Sequence, residues 1–227
     1  MASRAAGVTE FPRTALDLHR SRTSSLGKVT AKRAIRVLGL GGSLRSGSQS
    51  ERALRIALSG AEEAGAVTTA VTGEALRLPF YDAGVSERGE LAVRLVDAVR
   101  ESDGVIVVSP GYHGALSGLV KNALDYVEDL REDSRPYLHG RAVGLIAVAH
   151  GWQAAVTTLN QMRTIAHALR GWPTPLGGAV NSAEVKFDEA GGASEERTER
   201  NLRLIGRQVA EFGLAQRAAG FGDPTHG

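Results

Sequence analysis

Between an apolar run and a helical pattern, Gly41 to Ser50 brings together the residue types that an anion needs. A phosphate monoester requires hydrogen-bond donors from several directions. Gly41 and Gly42 let the backbone turn its amides inward, Ser43, Ser48 and Ser50 add hydroxyls, and a following helix adds its positive end. Arg45 offers a planar fork for phosphate oxygens. A single serine here would read as a helix N-cap. Three with an arginine, at a strand-to-helix junction, read as a phosphate site.

The kind of phosphate is narrowed by what is missing. The run Gly39 to Leu44 starts like a dinucleotide fingerprint, but Leu44 stands at its third glycine position and no acidic residue closes the next strand. A Gly-Lys-Ser or Gly-Lys-Thr sequence is absent, so the phosphate-binding loop of nucleotide hydrolases is not present. With 0 cysteines, the chain has no thiol nucleophile, thiolate metal site or disulfide.

Two further segments carry polar and aromatic residues where a strand should end. Ser109-Pro110-Gly111-Tyr112-His113-Gly114 follows the most continuous β-branched run, Gly104 to Ser109. Ala149-His150-Gly151-Trp152 follows the apolar run Arg141 to Ala149. His113 and His150 could serve as polar contacts or proton carriers, and equally as ordinary loop histidines. Trp152 could wall a planar ligand or fill a helix-start contact.

The elements that must position these loops follow from periodicity. Strands are predicted at 34–40, 67–71, 104–109 and 141–149, with a short one near 178–180. Helices are predicted over 48–64, 87–101, 116–130, 152–169 and 194–216, with a short helix at 14–19. Residues 76–84, containing Leu78-Pro79-Phe80-Tyr81-Asp82, read as a loop. Strict alternation of apolar strands and helices predicts an α/β fold, doubly wound around a five-stranded parallel sheet of order 2-1-3-4-5, with helices on both faces. Ligands of such sheets bind beyond the carboxyl ends of the strands, where all three loops fall.

At this point the chain resembles a known family. Gly42, Ser43, Arg45 and Ser48 match the Gly-Ser-x-Arg-x-x-Ser loop of the NAD(P)H-dependent FMN reductases, which are flavodoxin-like proteins. Pro110, Tyr112, Gly114, Gly118, Lys121, Asn122 and Asp125 match that family's second motif, Pro-Glu-Tyr-Asn-Gly followed by x-x-x-Gly-x-x-Lys-Asn-x-x-Asp. Gly111 stands where the motif has Glu and His113 where it has Asn. The third loop keeps one glycine of a glycine-rich run and carries His150 and Trp152 instead.

The resemblance implies FMN as cofactor, with NADPH or NADH as electron donor. It implies that Ser43, Arg45, Ser48, Gln49 and Ser50 bind the ribityl phosphate. Pro110, Gly111, Tyr112, His113 and Gly114 would edge the isoalloxazine, with His150, Gly151 and Trp152 on its pyrimidine side. It also implies a homodimer or homotetramer through the Lys121–Asp125 helix, beside which an isolated chain would show only a surface ion pair. The implied activity is reduction of a small-molecule electron acceptor such as a flavin, quinone or azo compound. A reductase supplying a monooxygenase, a non-enzymatic electron carrier and a flavin-free phosphate binder are the competing readings. Hydride transfer needs no general acid or base, so no catalytic residue is assigned. Arg45 and Arg131 are candidates for an NADPH phosphate.

Composition bounds the rest. With 42% hydrophobic and 23% charged residues and a net charge of +2, the 227-residue chain reads as globular, with neither a nucleic-acid nor a membrane partner expected. No apolar run reaches the roughly 18 residues of a membrane helix. Residues 1–33 are basic and without periodicity, and are expected to be a disordered extension before a domain at 34–217 and a tail at 218–227. That extension lacks the apolar core of a secretory signal, so a cytoplasmic protein is expected.

Overall fold

The computed structural model describes residues 33–219. The expected helix at 14–19 and nearly all of the basic extension and C-terminal tail lie outside them. Among the described residues, seven strands and five α-helices follow in this order: β1 (Arg36–Gly41), α1 (Gln49–Glu63), β2 (Val67–Val71), α2 (Glu90–Glu101), β3 (Gly104–Tyr112), β4 (Ala115–Leu116), α3 (Gly118–Asp125), β5 (Ala142–Ala149), α4 (Trp152–Ala168), β6 (Trp172–Pro173), β7 (Gly178–Asn181) and α5 (Glu196–Ala218).

The sheet follows the order β2-β1-β3-β5-β6, with β7 also paired to β5. Every pairing in it is parallel except β3 with β4. The expected five-stranded count is therefore corrected: the short strand near 178–180 is present as β7, and β6 and β4 are added to it. β6 meets β5 at Ala142 and Val143, and β7 meets it at Ile146 to Ala149, so two short pieces share one edge. Pro173, Pro175 and the pair Gly177-Gly178 explain the break: proline cannot donate to the ladder, and glycine weakens a strand interior. β4 is the other addition, a two-residue antiparallel return against the end of β3.

Period-two alternation divides the core between the two faces of the sheet. Leu38, Val105, Val107, Val143 and Leu145 pack on one face with α2, α3 and α4. Val37, Ile106, Val108, Ile146 and Val148 pack on the other with α1 and α5. β5 is buried along its whole length, whereas β2, at the edge, is half open, as its diluted Val67-Thr-Thr-Ala-Val71 sequence suggests. The predicted helix at 116–130 is α3 followed by a 3-10 turn over Tyr126–Leu130. No helix among the described residues is long and apolar enough to cross a membrane.

Candidate functional site

The first loop is shaped by what its glycines must avoid. Gly41 and Gly42 have φ of 132° and 96°, and Gly42 N donates to Val108 O at 3.0 Å. A Cβ on Gly41 would stand 1.8 Å from Val108 O, so only glycine lets β1 end this close to β3. The loop then closes on α1. Ser48 caps the helix by accepting from Glu51 N at 3.2 Å, and its hydroxyl lies 3.2 Å from that of Ser50. Glu51, buried, accepts from Gly47 N at 2.8 Å and pairs with Arg55 at 2.5 Å. This is a capping box that reaches one residue further back than usual. The first amides of α1 have no partner within the helix.

The structure separates the five predicted phosphate residues into three sets. Ser43, half-buried, and Arg45, exposed, remain at the loop surface, with Ser43 Oγ 3.4 Å from Arg45 O. Ser48 and Ser50 are buried inside the turn and stabilise it. Gln49 is engaged elsewhere: its Nε2 donates to Phe187 O at 3.1 Å and its Oε1 accepts from Phe187 N at 2.8 Å. In this structure the Gln49 amide anchors the 187 segment.

The second loop is a hairpin rather than an open turn. β3 continues past the predicted end at Ser109, and Gly111 and Tyr112 pair with Leu116 and Ala115. The two linking residues, His113 and Gly114, have φ of 53° and 81°, as a type I′ turn requires. Histidine is one of the few side chains that enter the left-handed region readily, so it can replace Asn there. Gly111 is the departure with the tightest surroundings. A Cβ on it would lie 2.7 Å from Thr158 Oγ1 and 2.9 Å from Ala149 Cβ, so α4 occupies the space of the motif's glutamate. Ser109, fully buried, locks the base of the hairpin: its Oγ donates to Pro110 O at 2.9 Å and accepts from Ser117 N at 2.9 Å.

The third loop turns at Gly151, whose φ is 114°. Its amide donates to Asn181 Oδ1 at 2.8 Å. The Trp152 indole donates to Glu184, 3.0 Å from Oε1 and 3.2 Å from Oε2. Asn181 and Glu184 were not legible as site residues, because no motif surrounds them and their partners lie about thirty residues away in the chain. A cavity of about 640 Å³ opens between the second and third loops, lined by His113, Gly114, His150, Gly151 and Trp152 together with Thr157 of α4. Five residues predicted at the ring end of the site thus meet around one space.

The motif residues of α3 divide in the same manner. Asn122 is an internal anchor, accepting from Tyr81 N at 2.8 Å and donating to Pro79 O at 2.8 Å. Tyr126 Oη donates to the same carbonyl at 3.1 Å. Lys121 and Asp125 form an exposed ion pair of 2.5 Å. Arg131 is removed from the site by topology. The crossover through α3 carries the chain from the carboxyl end of β3 to the amino end of β5, so Arg131 reaches the pole opposite the loops, where it pairs with Glu132 at 3.2 Å.

A doubly wound parallel sheet with an anion-type turn after its first central strand, and a cavity beyond the next two, defines a flavodoxin-like protein. Residues 35–185 match the family model of NADPH-dependent FMN reductase, and the chain belongs to that family. Over 86 residues it is 40% identical to an NADPH azoreductase of Bacillus sp. (strain OY1-2), covering 37% of this chain and 45% of that protein. Over 120 residues it is 28% identical to an FMN-dependent NADPH-azoreductase of Staphylococcus aureus, covering 52% and 60%. The chain therefore spans about half the length of the curated relatives it matches. The solved flavoenzyme NAD(P)H:(acceptor) oxidoreductase FerB of Paracoccus denitrificans superposes with a TM-score of 0.67 at 19% identity, covering 80% of this chain and 98% of that one, which establishes the shared fold.

Proposed function

We propose that this chain is an NAD(P)H-dependent, FMN-containing oxidoreductase that reduces a small-molecule acceptor such as a flavin, quinone or azo compound. The carrying observation is the alignment of three loops on adjacent strands. β1, β3 and β5 are neighbours, so the anion turn and the third loop stand about 10 Å apart across two strand spacings, with the hairpin between them. That separation suits a ligand with a phosphate at one end and a planar ring at the other.

The residues present fit FMN. The positive-φ glycines bring the loop backbone tight against β3 and α1, the first amides of α1 lack helical partners, and Arg45 and Ser43 remain at the surface to meet phosphate oxygens. Bound FMN would supply hydride transfer from a nicotinamide donor to flavin N5, and electron delivery onward. The protein's part is positional: the hairpin presents backbone amides to the ring edge, and His150, Gly151 and Trp152 border the opposite side. An FMN-binding unit over 34–217, working in the cytoplasm, is part of this reading. So is self-association through the exposed Lys121–Asp125 side of α3, with Asn122 now an internal anchor.

Titration of the purified protein with FMN, followed by NADPH oxidation with a quinone or azo acceptor, tests the function. Saturable FMN binding, weakened by about 2 kcal/mol in Arg45→Ala, is the expected result. Protein that stays colourless and binds no added FMN overturns it.

A further inference from the structure

The end of the edge strand grips the third loop from behind. Asn181, almost wholly buried, accepts from Gly151 N at 2.8 Å and from Ala183 N at 3.1 Å, and its Nδ2 donates to Glu184 Oε1 at 2.7 Å. Glu184 then accepts the Trp152 indole N–H between its two oxygens. The indole nitrogen is a donor only, so a carboxylate is its strongest available partner. At 50% exposure Trp152 is only partly covered by its neighbours, and it lines the cavity beside His150 and His113. What sets the indole's orientation is the carboxylate, and what sets the carboxylate is Asn181.

We propose that Glu184 is a positioning residue for the flavin ring: it locks the Trp152 indole as one wall of the cavity and raises affinity for the isoalloxazine independently of the phosphate. The proposal rests on the FMN reading above and goes beyond it by naming a residue outside the three loops. A free indole must lose rotamer freedom when a ring docks against it, whereas a tethered one has already lost it. Glu184 is itself exposed, so its replacement leaves the core intact.

The test uses Trp172→Phe as the parent, which leaves Trp152 as the one indole of a chain with 2 tryptophans. Without ligand, Glu184→Ala should lower the anisotropy of Trp152 emission and shift it to the red. Glu184→Gln keeps an oxygen acceptor and should restore both. Riboflavin and FMN are then titrated separately. Glu184→Ala should weaken both by the same factor, about three- to tenfold, whereas Arg45→Ala should weaken FMN alone. Unchanged anisotropy in Glu184→Ala, or unchanged affinity for riboflavin and FMN, overturns the proposal. Failure of the parent to bind either flavin overturns the flavin reading itself, and the ligand-free anisotropy then still reports separately on the lock.

Discussion

Gln49 and Phe187 are joined by two hydrogen bonds across 138 residues of chain, the side-chain amide of one closing on the backbone N–H and carbonyl of the other. Arg52 Nη1 adds a third bond, 2.7 Å to the same carbonyl, and the Phe187 ring is buried in the core. The segment from Asn181 to Phe187 thereby touches both ends of the site. Asn181 and Glu184 hold the Gly151–Trp152 turn, and Phe187 holds the first turn of α1.

Gln49→Ala should cost about 1 kcal/mol of stability, because it strands the Phe187 N–H while Arg52 still donates to the Phe187 carbonyl. Urea unfolding measures the loss, and FMN titration should show a much smaller effect than in Arg45→Ala. Full stability with an Arg45-like loss of FMN affinity would return Gln49 to the phosphate.

Restoring the motif's glutamate at position 111 should harm the protein. Gly111→Glu drives a Cβ against Thr158 Oγ1 and Ala149 Cβ, both from buried residues, and the expected cost is about 2 kcal/mol. Combining it with Thr158→Ala removes the nearer of those atoms, an oxygen that has no hydrogen-bond partner in the structure, and should recover part of the loss. Thermal denaturation of the two variants decides the matter: no recovery in the double variant would show that the β5 contact alone excludes the side chain.

The hairpin turn makes a sharper demand on residue type than on charge. His113→Asn should leave the melting temperature within a degree or two of the parent, because Asn tolerates the left-handed region equally well. His113→Val should lower stability by about 1–2 kcal/mol, since a β-branched residue resists φ near +53°. Equal melting temperatures for the two variants would contradict the type I′ turn.

Far from the loops, Arg141 is fully buried and, among the described residues, forms no salt bridge with a carboxylate. Its guanidinium donates to the carbonyls of Ser102 at 3.0 Å, Arg100 at 2.9 Å and Tyr137 at 3.1 Å. Burial, reinforced by nearby Arg135, pushes its pKa down to about 9, which still leaves it charged at neutral pH. Two of those carbonyls belong to the carboxyl end of α2, where a cation is favoured. Arg141→Met should cost about 3 kcal/mol by leaving the carbonyls unpaired, while FMN affinity measured below the unfolding transition stays unchanged. A stability loss under 1 kcal/mol would mean that water replaces the guanidinium.

Much of this protein is readable along the chain. The runs 104–109 and 141–149 could be assigned as buried strands because continuous apolar runs of this length, rich in Val and Ile, have few other places to go. The Gly41 to Ser50 loop reads as an anion site because glycines, hydroxyls and an arginine are all local to one turn, and the structure places it at the β1–α1 junction expected for it. Lys121 and Asp125 were recognisable as an ion pair for the same reason, four residues apart on a helix. His113, His150 and Trp152, which all follow strand ends, do line one cavity.

What the chain order could not reveal was which partners those residues would choose. Gln49 looked like a phosphate ligand until Phe187 returned to it, Asn122 like an interface residue until Tyr81 and Pro79 folded over it, and Arg131 like a cofactor contact until the crossover carried it to the far pole. The hairpin at His113-Gly114 and the split edge strand were hidden because each depends on a neighbour's backbone, not on a period in its own residues. Local patterning records which side of an element is buried. The same short-range signal carries no information about contacts closed over thirty to 138 residues, and those contacts decide which groups of the Gly41 to Ser50 and Ala149 to Trp152 loops are already engaged within the protein.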